Sequence, residues 1–260
     1  MSFPHDLLRS IYNDPDTTTR TKRKIRRSLE AVEVDYRGCR MFVHPADNNT
    51  EFQIWKMGRT HEERALRNIL TELGSKPFVA LDVGANAGSF AVRLGAIAPA
   101  GSQIHAFEPN PGMRARLCHN LKLNDLANVS VHDCAISDED GYLDFFIPDF
   151  NNLGQARLIE PYESGEKITV RVRPLTHFLA SEKLDRIDFL KVDIEGFEDR
   201  AIGPLIDAQI DVRPTLVFYE HKHNALWKTD ITARLLSSGY ELKKEFGRNA
   251  LFKKRDAADS

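Results

Sequence analysis

Apolar and polar positions alternate in three ways along this chain, and the changes of rhythm mark its elements. Ala31-Val32-Glu33-Val34-Asp35-Tyr36 alternates with a period of two, Arg37-Gly38 interrupts it, and Arg40-Met41-Phe42-Val43 resumes it. That pattern predicts a β-hairpin. From residue 60 to 73 the rhythm becomes helical, with Ala65, Leu66, Ile69, Leu70 and Leu73 on one face. From residue 76 onward, short apolar runs alternate with helical stretches, the signature of a parallel sheet covered on both faces. Five such runs are read as strands: one ending at Asp82, then 103–107, 129–133, 187–192 and 215–219. Helices are expected at 88–98 and from Asn110-Pro111, where proline suits a first turn. Between the third and fourth runs, 142–147 and 168–173 read as an antiparallel pair around a polar loop. Glu241-Leu242 and Ala250-Leu251-Phe252 read as edge strands. The domain reading is an N-terminal appendage of helix and hairpin over 1–75, an α/β domain over 76–254 and a disordered tail over 255–260.

Composition narrows the class. At 260 residues, 42% hydrophobic and 28% charged, the chain can bury one substantial core. A formal net charge of −2 gives no global drive toward nucleic acid or anionic lipid. The run from Arg20 to Arg27 holds six basic residues in eight, but no aromatic residue interleaves with it and Glu30, Glu33 and Asp35 follow. It reads as a solvated helix face, and no nucleic-acid partner is expected. Three scattered cysteines, Cys39, Cys118 and Cys134, suit neither a disulfide framework nor a zinc cluster. The first residues lack a secretory pattern and no apolar run reaches spanning length, so a cytoplasmic setting without a membrane span is expected.

The chemistry gathers at strand ends. Val79, Leu81 and Val83 lead into Gly84 and Gly88, a G-x-x-x-G turn with Asn86 inside it. This spacing is neither the G-x-G-x-x-G of dinucleotide folds nor a phosphate loop. In an open α/β sheet, ligands sit beyond the carboxyl ends of the strands, where Asp82, Glu108, Asp133 and Asp193 all fall. In order and spacing, D-V-G-A-N-A-G at 82–88, F-E-P-N-P at 107–111 and K-V-D-I-E-G-F-E at 191–198 resemble the FkbM family of S-adenosylmethionine-dependent methyltransferases. The resemblance extends over residues 49–254. It implies a Rossmann-like class I methyltransferase fold, with a mostly parallel seven-stranded sheet and helices on both faces. It also implies S-adenosylmethionine as cofactor and O-methylation of a sugar, glycan or small-molecule natural product.

With that cofactor in view, each residue acquires an expected task. Gly84, Asn86 and Gly88 bring the backbone close to the amino-acid part, and Asp82 sets a carboxylate near its cationic groups. Glu108 suits the ribose diol, with Pro109 and Asn110 fixing the chain after it. Asp133, or its neighbours Cys134 and Ala135, faces the adenine edge. Asp193 is assigned to both cofactor and reaction. Strand alternation is expected to send Lys191, Asp193 and Glu195 to one side, where they orient an acceptor hydroxyl and take its proton. Glu62, in a segment that resembles the family's glycine-then-glutamate element, faces the cofactor carboxyl side or the acceptor, or caps a helix. Glu220, His221 and, in the inserted loop, Asn152 are expected to border the acceptor. No metal is expected, for want of diagnostic ligand spacing. Two other readings stay open: an NAD-dependent oxidoreductase, disfavoured by the missing third glycine, and a non-catalytic cofactor-binding module. The hairpin offers a route to a homo-oligomer.

Overall fold

The computed structural model describes residues 4–149, 153–158, 161–207 and 212–255. In chain order the N-terminal part runs α1 (His5–Asn13), α2 (Thr19–Ser28), β1 (Val32–Tyr36), β2 (Cys39–Val43), α3 (Asn49–Met57) and α4 (Glu63–Leu73). There follow β3 (Val79–Val83), α5 (Ser89–Ile97), β4 (Gln103–Phe107), α6 (Pro111–Leu123) and β5 (Val129–His132). The inserted strands are β6 (Ala135–Ile136), β7 (Gly141–Pro148) and β8 (Gly165–Arg173). The chain closes with α7 (Leu175–Glu182), β9 (Phe189–Val192), α8 (Glu198–Asp207), β10 (Leu216–Glu220), α9 (Ile231–Ser237), β11 (Tyr240–Phe246) and β12 (Asn249–Lys254).

Seven strands form the main sheet in the order β11-β12-β10-β9-β3-β4-β5. β3 pairs in parallel with β4 and β9, as do β4 with β5 and β9 with β10, while β12 runs antiparallel to both β10 and β11. The expectation of two edge strands is corrected on one point: β12 is interior and only β11 forms that edge. The reversal of strand order lies between β3 and β9, so the switch point opens beside β3, where ligands of such sheets bind. The inserted pair is antiparallel as expected, and β6 joins it as a third strand.

Alternation along β3 divides its side chains between two layers. Leu81 and Val83 pack with Phe178, Ala201, Ile202, Leu205 and Ile231, from α7, α8 and α9. Ala80 packs on the other face with Ala65, Leu66, Ile69, Phe90 and Leu94, from α4 and α5. The described elements before β3 pack against the sheet and its helices. Ile25, Tyr36, Met41, Phe52 and Trp55 form one cluster with Ala91, Val92, Ala106, Leu117 and Leu121. Hydrogen bonds reinforce the junction, since Phe42 N–H donates to Asn120 Oδ1 at 2.7 Å while Asn120 Nδ2 donates to the Ala87 carbonyl at 3.0 Å. The hairpin thus leans on α6 and, through Asn120, on the glycine turn. The basic helix α2 is also partly committed, with the Arg26 guanidinium bonded to the Pro45 carbonyl and lying 4.6 Å from the Phe52 ring centre. Among the described residues no helix is long and apolar enough to cross a membrane. The expected tail lies, apart from Arg255, outside the described residues.

Candidate active site

A cavity of about 980 Å³, its open mouth included, lies at the carboxyl ends of β3, β4 and β9. Volumes of this order suit small-molecule and cofactor sites. Of the residues singled out in the sequence, Glu62, Gly84, Asn86, Glu108, Pro109, Asn110, Ala135, Lys191, Asp193 and Glu195 line it. Asn49, Thr50 and Met113 join them, as do Cys134 and Ile136, and Leu153 to Ala156 of the insertion close one side.

The turn after β3 is locked from within. The N–H groups of Gly84 and Ala85 both donate to the Phe107 carbonyl, at 3.1 and 3.0 Å. Asn86 N–H donates to Glu108 Oε2 at 2.7 Å, Ala87 N–H to Asn86 Oδ1 at 2.7 Å, and Gly88 N–H to the Ala85 carbonyl at 2.9 Å. The amides of 84–88 are therefore spent within the protein, and none of the five is left for a ligand anion. Donors for an anion begin instead at Ser89, in the first turn of α5, where helical amides lack intrahelical partners and the side chain lines the cavity. What Gly84 supplies is proximity. It sits at φ 78, and a Cβ there would overlap the Asp193 carbonyl oxygen. Gly88, at φ 92, lies behind the wall, where a Cβ would come 2.6 Å from Leu117 Cδ1.

Asn86 ties three segments together at φ 53. Its Oδ1 accepts from Asn48 Nδ2 at 2.8 Å, and its Nδ2 reaches the Gly154 carbonyl at 3.4 Å. The N-terminal part and the insertion thus both close over the turn. Asn110 caps α6, its side chain accepting from Gly112 N–H at 2.9 Å. Glu108 is 6% exposed, and its carboxylate accepts Asn86 N–H on one oxygen and Asn110 N–H on the other, at 2.8 Å. Each oxygen keeps a lone pair for a ligand hydroxyl. Burial pushes this carboxyl up to about 7, against the pull of those two N–H groups.

Three expectations need correction. Asp82 does not reach the cavity: it is fully buried, pointing to the opposite layer from Leu81, and pairs with Lys191 Nζ at 3.0 Å. The register sets Asp82 beside Lys191 on adjacent parallel strands. Lys191 in turn donates to the Gly84 carbonyl at 3.1 Å and lies 5.5 Å from the Phe90 ring centre. Burial opposes its charge, yet Asp82, Asp193 and Glu62 outweigh that and raise its pKa. A lysine so held is no base; it braces the turn. Asp133 is likewise off the wall. β5 ends at His132, Asp133 is exposed, and Cys134 and Ala135 face inward instead.

Lys191, Asp193 and Glu195 do share the cavity, but not by strand alternation, because β9 stops at Val192 and Glu195 turns at φ 54. Glu198, which the sequence reading passed over, shapes that turn. It is 1% exposed, its Oε1 accepts Ile194 N–H at 3.0 Å and Gly196 N–H at 3.1 Å, and its Oε2 accepts Trp227 Nε1–H at 2.9 Å. Its place as the last glutamate of E-G-F-E was the available signal. Glu62 lines the cavity without a side-chain capping bond to α4. Glu220 and His221 stand at the end of β10 off the cavity lining, and Glu220 lies beside Glu195. Asn152 lies outside the described residues.

Crowded carboxyls give the free protein a pH signature. Burial, chiefly, pushes Glu62, Glu108 and Glu198 each up to about 7. The folded state therefore keeps protons that the unfolded chain sheds near its ordinary value, so stability falls as pH rises from about 4.5 to 7. His132, pushed down to about 4 by burial beside His105, acts oppositely as pH drops below about 6.5. Glu51, raised to about 7, and Glu220, raised to about 8, act in the same direction as these three, and the carboxyls predict a higher urea midpoint at pH 6 than at pH 8, with a smaller difference in Glu62→Gln. An equal midpoint at both pH values would contradict this.

Residues 82–242 match the methyltransferase FkbM domain family. Methyltransferase sdnD of Sordaria araneosa is 30% identical over 158 residues, covering 50% of this chain and 60% of that protein. The 31-O-demethyl-FK506 methyltransferase FkbM of Streptomyces tacrolimicus is 31% identical over 158 residues, with the same coverage of 50% and 60%. The chain thus spans about 60% of the length of these relatives. Among solved structures, the METTL16 methyltransferase domain superposes with a TM-score of 0.54 at 13% identity, covering 98% of this chain and 93% of that one. At that identity the likeness concerns the fold alone, which is Rossmann-like.

Proposed function

The chain belongs to the methyltransferase FkbM domain family, and from that premise we propose that it moves a methyl group from S-adenosylmethionine to a hydroxyl oxygen of a sugar or other small molecule. One observation carries the reading. A single cavity joins a close-approach glycine turn to Glu108, Glu62 and Asp193, and these carboxylates suit a ligand bearing a diol and positive charge. The residues fit the donor part by part. Glu108 would hold the ribose hydroxyls, the first turn of α5 the carboxylate, and Glu62 the cationic end, while Cys134, Ala135 and Ile136 would flank the base. The bound donor supplies an electrophilic methyl group and a neutral sulfide leaving group.

The chain's own task is to position the acceptor and receive one proton. Positioning alone is worth about 7–11 kcal/mol in such displacements. Asp193, on the cavity wall, would receive the proton that the acceptor hydroxyl loses as it is methylated, the spent donor leaving as a neutral sulfide. Glu195 borders the same wall on the acceptor side. The carbohydrate or natural-product character of the acceptor rests on the family resemblance and on the carboxylates, which pair well with vicinal hydroxyls.

Titration calorimetry of the purified chain is expected to give saturable heat with S-adenosylhomocysteine and none with NAD. Heat with NAD alone would favour the oxidoreductase reading. With an acceptor in hand, Asp193→Asn is expected to lower kcat about 10²–10⁴-fold while S-adenosylhomocysteine affinity changes only a few-fold. Cofactor binding without turnover on any glycan or small-molecule acceptor would favour a binding module.

A further inference from the structure

At the edge of the cavity, one group of side chains forms a donor set that the methyl-transfer reading uses only through Glu195. Glu195 on the turn after β9, Glu220 at the end of β10 and His223 just beyond it each offer one ligand atom, all within 4.8 Å of one another. All three are half-buried rather than on the open surface. Two carboxylate oxygens and one imidazole nitrogen at such separations fit inside the coordination shell of one first-row divalent cation.

Two further observations bear on this group. The ring Nε2 of His223 is shielded from solvent and lies 2.8 Å from Glu195 Oε2, yet it makes no hydrogen bond of acceptable geometry. The Glu220 carboxylate has neither a hydrogen bond nor an ion pair among the described residues, although Asp193, Glu195 and Glu198 all press negative charge on it. Lys222 acts against that charge, and its Nζ stands 3.3 Å from Glu195 Oε2.

The donors are also held in place. A Cβ at Gly196 would come 2.8 Å from Leu226 Cδ1 and 3.3 Å from His223 Cβ, so the two loops touch closely. Glu198 clamps them from behind by accepting from Ile194 and Gly196 N–H on one side and Trp227 Nε1–H on the other. Ligands fixed before binding are what a metal site requires.

We infer that Glu195, Glu220 and His223 form a binding site for a divalent first-row cation of the Mn²⁺ type, at the acceptor edge of the cavity. Glu195 belongs to both the site and the cavity wall. A cation there would bind an acceptor hydroxyl oxygen and ease loss of its proton toward Asp193, a role that rests on the proposed methyl transfer. Binding of the cation does not rest on it. Lys222 pairs with Glu195 and would swing away when the cation binds.

The test uses the full chain, stripped with chelator and dialysed, with no nucleoside present. Free Mn²⁺ is followed by electron paramagnetic resonance during titration. One equivalent should bind, at least tenfold more weakly in Glu220→Gln and in His223→Gln, and more tightly in Lys222→Ala. Circular dichroism and retained S-adenosylhomocysteine heat establish that the variants are folded. No Mn²⁺ bound at millimolar concentration would overturn the inference, as would stoichiometric binding unchanged in both ligand variants. If S-adenosylhomocysteine heat persists in that outcome, the methyltransferase reading stands and the cation site alone falls.

Discussion

Gly84→Ala is expected to cost the protein at least a hundredfold in S-adenosylhomocysteine affinity, the largest effect of any single methyl group added near the cavity. Two penalties combine there. The residue sits at φ 78, which costs an L side chain roughly 1–2 kcal/mol. The added Cβ would overlap the Asp193 carbonyl oxygen and lie 3.0 Å from its carbonyl carbon and 3.1 Å from Ile194 Cγ2. That backbone cannot step aside, because Asp193 N–H donates to the Val83 carbonyl at 3.1 Å and Ile194 N–H to Glu198 at 3.0 Å. The methyl group therefore pushes the turn into the cavity that Gly84 lines. Gly38→Ala separates the two penalties: it has φ 81 but nothing within 4 Å of its Cβ. It should lose about 1 kcal/mol of stability and keep full affinity. Calorimetry on both variants decides, and affinity in Gly84→Ala within threefold of the parent chain would refute the close-approach role.

The elements legible in the sequence were those written in local rhythm. The hairpin, the five parallel strands and the inserted antiparallel pair each follow from period-two or apolar runs. The glycine turn and two of the four strand-end acids, Glu108 and Asp193, likewise mark the cavity. What local rhythm cannot carry is register between distant strands. Asp82 reads as a strand-end carboxylate open to ligand, and only its pairing with Lys191 on β9 reveals that both are internal. Asp133 failed for a smaller reason, since β5 ends one residue early and the side chain turns outward. The N-terminal segment reads as an appendage because only part of its cluster is local: Ile25, Tyr36, Met41, Phe52 and Trp55 also pack on Ala91, Leu117 and Leu121, far along the chain. His223 was overshadowed by His221, which stands directly at the strand end, and its proximity to Glu195 depends on a loop contact that spacing does not encode.

The pairing of Asp82 with Lys191 yields the second large effect. Lys191→Met removes the cation but leaves a carboxylate that is fully buried. Breaking a buried pair from one side typically costs about 3–5 kcal/mol, because the remaining charge has no compensation. For a chain of this size that lowers the melting temperature by roughly 6–20 °C. The same substitution frees the Gly84 carbonyl from its 3.1 Å bond and loosens the turn, so cofactor affinity should fall along with stability. Methionine keeps much of the stem's volume against Phe90, and the double variant Asp82→Leu, Lys191→Met replaces the pair by apolar contacts. It should recover most of the lost stability, as such exchanges commonly do, while cofactor affinity stays reduced because the Gly84 brace is still absent. Urea unfolding and calorimetry on the single and double variants give the two readouts independently. If Lys191 acted directly on the acceptor instead, Lys191→Met would lose kcat with little change in stability or cofactor affinity, and the bracing role assigned to the pair would be wrong.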